Sequence, residues 1–117
     1  MASGILGSIE PAATTYTTLY KPSTGLVAGV TIQAQNRSAS TRTIRIALTQ
    51  DAASNPAPAD GDFIIYDRTL AAAGDTSFGD SLQITGHTLG ASGNDQVVVY
   101  ASGIDVDFVC TGIEESA

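Results

Sequence analysis

LVAGVTIQAQNRSASTRTIRIALTQ, residues Leu26 to Gln50, holds two runs in which apolar and polar side chains alternate. Val30, Ile32 and Ala34 alternate with Thr31, Gln33 and Gln35; after a polar connection at Asn36 to Thr41, Ile44, Ile46 and Leu48 alternate with Thr43, Arg45 and Thr49. An extended strand points successive side chains to opposite faces, so each run carries an aliphatic row that only a second apolar layer can cover. The stretch therefore reads as two long strands joined by a polar turn, a central pair in a β-sandwich.

Outward from this pair the pattern repeats. Upstream, TYTTLY (Thr15 to Tyr20) is rich in β-formers and runs into Lys21-Pro22, which suits an edge strand ending at a turn. Downstream, DAASNPAPADG (Asp51 to Gly61) is a loop of small residues, followed by the short apolar strand FIIY (Phe63 to Tyr66). Thr76 to Thr85 carries Phe78, Leu82 and Ile84 with a bulge or corner expected at Gly79, and His87 beside Gly86 is expected in a turn. GASGND (Gly90 to Asp95) is the clearest turn signal and delivers QVVVYAS (Gln96 to Ser102), an apolar run expected to be covered on both sides. Gly103 then permits a reversal into IDVDFVCT, with Ile104, Val106, Phe108 and Cys110 facing one way and Asp105 and Asp107 the other. The fold class is all-β: a single antiparallel β-sandwich of seven to eight strands, jelly-roll-like or immunoglobulin-like.

Residues 1 to 15 mix Gly, Ala, Ser and Thr with Ile5, Leu6 and Ile9, and Gly4, Gly7 and Pro11 interrupt any helix. They read as an extended N-terminal arm, with the sandwich domain spanning residues 16 to 117. A chain of 117 residues makes one domain of ordinary size.

Composition narrows the function. Charged residues are 15% of the chain, against about 25% in ordinary domains, and Ala, Gly, Ser and Thr supply nearly half of it. Small neutral side chains must occupy much of the exterior, a character suited to packing against other proteins. The net charge of −7 comes from residues 69 to 117, which contain no Lys or Arg. Nucleic acid and anionic membranes need clustered cations, so neither is an expected partner. No run of 18 apolar residues occurs and the first residues lack a basic leader, so the expected setting is the cytosol or an assembly built there.

Chemistry is sparse in the residues. Cys110 is alone in an apolar row and reads as a small buried hydrophobe; Asp60-Gly61-Asp62 reads as a turn, with too few oxygens for a calcium loop. Hydrolytic, phosphoryl-transfer and zinc motifs are missing, so no catalytic residue, cofactor or metal ligand is assigned. The partner-binding candidates are Ile5, Leu6 and Ile9 on the arm and Arg37 and Arg42 flanking the polar turn. A carbohydrate-binding module would need an aromatic platform, and the chain has no Trp, four Tyr and three Phe, several in core strands.

LGSIEPAATTYTTLYKPSTG (Leu6 to Gly25), NRS (Asn36 to Ser38), TIRIAL (Thr43 to Leu48), IIYD (Ile64 to Asp67) and the closing VVVYAS together resemble a group of small bacteriophage virion proteins. The resemblance covers most of the chain and specifies structure, not chemistry. It implies a β-sandwich that assembles on a phage particle as a capsid decoration or cement protein, often a homotrimer, with the major capsid protein or another virion protein as partner. Similar modules occur at tails, necks, baseplates and fibres. The implied location is the virion, assembled in the host cytoplasm.

Overall fold

The structure, a computed structural model, describes residues 3 to 75 and 79 to 117. Eight strands form two four-stranded antiparallel sheets: β1 (Ser3–Ile9), β2 (Thr17–Tyr20), β3 (Leu26–Asn36), β4 (Arg42–Gln50), β5 (Phe63–Leu70), β6 (Ser81–Leu89), β7 (Asp95–Ala101) and β8 (Val106–Ser116). The first sheet has the order β1-β8-β3-β6 and the second β2-β7-β4-β5. Every strand pairs with the one equally far from the other end of the series: β1 with β8, β2 with β7, β3 with β6, β4 with β5. That is a long two-stranded ribbon wound on itself, the jelly-roll arrangement, and not the consecutive pairing of an immunoglobulin-like sandwich.

The strands flanking the polar connection are both central, but they are not paired with each other. β3 hydrogen-bonds to β8 and β6, and β4 to β7 and β5. Residues 37 to 41 cross from one sheet to the other, so the row Ile32, Ala34 and the row Ile44, Ile46 belong to opposing sheets of one interior. Phe108, Val106 and Cys110 from β8 and Val97 and Val99 from β7 complete it. Val98 and its register partner Ala47 are also buried although they point away from that interior, so β7 is covered on both sides. Part of the outer cover is the Asp51 to Gly61 loop. Gln96 Nε2 donates to the carbonyls of Asp51 (2.7 Å) and Ala53 (2.9 Å), and Asn55 exchanges two 2.8 Å hydrogen bonds with Thr18.

Four expectations change. Ser3–Ile9 is an edge strand of the first sheet and no free arm; Leu6 and Ile9 pack on the core, and Gly7, having no side chain, lets β1 lie against β2. His87 lies within β6 opposite Val30, because Gly86 (φ 84°) forms a bulge and not a reversal. β5 runs on to Leu70, and β8 starts only at Val106, leaving Ile104 56% exposed in the preceding turn. Thr76, Ser77 and Phe78 lie outside the described residues; Gly79 (φ 83°) forms a corner just before β6.

Candidate functional site

Two outer faces lie on opposite sides of the sandwich. On the β1-β8-β3-β6 sheet the inward positions alternate with Thr31, Gln33 and Gln35 of β3, Val109, Thr111 and Ile113 of β8, Gln83 of β6 and Ile5 of β1. Ser3 pairs with Ile113 and Ile5 with Thr111, so Ile5 and Ile113 are diagonal neighbours on this face. They are 72% and 58% exposed. Charge enters only at the ends, through Asp107 opposite Gln35 and Glu115 opposite Val27. A sheet face of threonine, glutamine and aliphatic side chains with a neutral centre shares the charge depletion of an interface core.

The other face belongs to β2-β7-β4-β5 and is built around Arg45. Arg45 and Tyr100 are register partners on central strands, both outward, and the guanidinium stands 4.5 Å from the Tyr100 ring centre and 4.4 Å from that of Tyr66 on β5. It donates from Nε to Asp67 Oδ1 (2.6 Å) and from Nη1 to Tyr16 Oη (2.8 Å). The hydrogen bond to Asp67, then that to Tyr16, raises the affinity of Arg45 for its proton. The rings continue outward: Tyr16 lies 5.0 Å from Tyr100 and 6.2 Å from Phe63, and Phe63 meets Tyr66 edge-on at 4.9 Å. Such pairs are attractive beyond the area they bury. Tyr16, Pro58, Asp60, Phe63 and Tyr66 line an open cleft of about 510 Å³.

Of the residues proposed from sequence, Ile5 stands exposed on the outer face of the first sheet. Leu6 and Ile9 turn inward and are spent on the core. Arg37 is held within the chain by Asp107 (2.5 Å), Glu10 (2.6 Å) and Asp105 (3.9 Å), and the Asp107 hydrogen bond, the largest of these influences, raises its proton affinity. Arg42 lies across Gly103, with Nε donating to the Ile104 carbonyl at 3.2 Å. Arg37 and Arg42 therefore both brace strand connections within the chain. The acidic last third is likewise not one patch, since Asp105 and Asp107 meet Arg37 and Glu114 accepts from Tyr20 Oη.

The residues missed were Arg45, Tyr16, Phe63, Tyr66 and Tyr100. For Arg45 and Tyr100 the signal was parity: where Ile44 and Ile46, or Val97 and Val99, face inward, Arg45 and Tyr100 must face out. Among the described residues, no group of three or more His, Cys, Asp and Glu side chains is placed to hold a metal ion. No family model matches the chain, and no curated protein or solved structure matches it either.

Proposed function

We propose that this protein is a virion assembly module, a capsid decoration protein that docks the outer face of its β1-β8-β3-β6 sheet on the subunits of a phage head. The observation that carries the reading is the diagonal pair Ile5 and Ile113, exposed where the edge strand β1 meets β8 on a face whose charges, Asp107 and Glu115, lie at its ends. Exposing two large aliphatic groups side by side is unfavourable for an isolated domain and useful for one that buries them on a lattice. The resemblance to small phage virion proteins points the same way, and jelly rolls serve in viral capsids, although a fold by itself assigns no function. Repetition over a shell supplies avidity, and bridging between neighbouring subunits opposes local opening.

The test is co-sedimentation with purified empty heads. The parent chain is expected to load the heads at many copies, and Ile5→Asp with Ile113→Asp to lose loading while remaining folded. Equal loading by the double variant overturns this docking face. Binding at only a few copies per particle moves the protein to a neck, tail or fibre.

A further inference from the structure

We propose that the Tyr16, Phe63, Tyr66 and Asp60 cleft on the opposite face is a binding site for a neutral saccharide. The inference rests on the aromatic cluster and is independent of the docking face.

Tyr66 is 59% exposed although it lies among other rings that could have buried it. Its position is held from beneath, because Arg45 packs against the Tyr66 ring and is itself fixed by Asp67 and Tyr16. The rings are therefore pre-arranged, and binding pays little to order them. Tyr16 and Phe63 add apolar surface around the same cleft, and its volume is within the range of small-ligand sites.

The polar groups select the ligand class. Tyr16 Oη already accepts a hydrogen bond from Arg45 Nη1, which leaves its own O–H to donate. Asp60, on the exposed 3-10 turn Asp60–Asp62, supplies a carboxylate that only accepts. A donor and an acceptor beside ring faces complement a pyranose, which offers hydroxyls at its rim and C–H groups on its face. A cationic side chain fits less well, since the Arg45 guanidinium already occupies the ring faces of Tyr66 and Tyr100 that it stands against. An anion fits less well again, because Arg45 is neutralised by Asp67 and Asp60 lines the cleft. A neutral polyol with an apolar face satisfies all of these groups.

The experiment is an amide NMR titration of the full chain with cello-, malto-, galacto- and chito-oligosaccharides at up to millimolar concentration, with a lysine-rich peptide as a separate arm. At least one saccharide series is expected to shift the resonances of Tyr16, Asp60, Phe63 and Tyr66. Tyr66→Ala and Asp60→Ala should each weaken that binding about tenfold, the loss of one ring contact or one charged hydrogen bond. Both side chains are exposed, so amide dispersion should stay that of the parent, and either variant alone suffices as the check. No saccharide shift at these residues overturns the proposal, as does saccharide binding that both variants retain, or a response to the peptide alone. Head binding measured on the same variants should be unchanged, which separates this site from the docking face.

Discussion

Asn36 Nδ2 donates to the Ala71 carbonyl at 2.9 Å, joining the last residue of β3 to the segment after β5, both residues fully buried. The same amide donates to Ser40 O at 2.9 Å, and Asn36 Oδ1 accepts from Ser38 N at 2.9 Å. One buried side chain thus fixes the crossover between the sheets and ties it to the β5–β6 connection that runs beside it in the ribbon. Asn36→Ala strands several buried polar groups and should destabilise by about 3 kcal/mol, lowering Tm by on the order of 10 °C. A loss no larger than that of an exposed substitution, read by thermal unfolding, contradicts this role.

Arg45→Ala removes the cation that two rings share and the donor to Tyr16. A loss of about 2 kcal/mol is expected. Arg45→Lys should recover less than half, because an ammonium cannot span Asp67 and Tyr16 as a planar fork does. Denaturant unfolding of the three proteins checks it; a lysine variant as stable as the parent would mean that charge alone matters.

A Cβ on Gly7 would fall on the Leu19 carbonyl oxygen, where β1 passes β2. Gly7→Ala should lift β1 off that edge, destabilise by about 1–3 kcal/mol, and speed amide exchange in β1 and its partner β8 more than in β4 or β7. Uniform exchange across both sheets would place the strain elsewhere.

Burial pushes the Cys110 thiol up to about 11. An unfolded thiol ionises near 8.5, so the folded state resists losing this proton. The contribution is fully present below the unfolded value and is lost as pH rises between roughly 9 and 11. The parent should therefore lose more stability over that window than Cys110→Ala, and the native thiol should resist disulfide reagents until the chain unfolds. Identical alkaline profiles for the two proteins would contradict it. Tyr20, also raised by burial and then by its hydrogen bond to Glu114, is present in both proteins, and the substitution removes only the part of its shift that comes from Cys110.

Strands were legible where the period of two was clean. Val106, Phe108 and Cys110 face inward as their spacing predicts, and Val97 to Val99 is covered on both sides. Pairing was not legible, because alternation specifies a face and not a neighbour. The five residues 37 to 41 suit a hairpin or a crossover equally, and the partners of β3 lie more than forty positions downstream. Glycine misled twice for one reason. At Gly7 it permits close approach and at Gly86 a bulge, yet both read as interruptions. The aromatic site escaped notice since Tyr16, just before β2, meets Phe63, Tyr66 and Tyr100 only when β2, β5 and β7 share a sheet.

The two outer faces are separated most directly by photo-crosslinking on loaded heads, with a benzophenone residue placed either at Thr111, in the neutral face, or at Thr69, opposite Thr43 on the outer face of the other sheet. An adduct with a head subunit is expected from position 111 and none from position 69. An adduct from position 69 alone, or no adduct from 111 on fully loaded heads, would contradict this docking face.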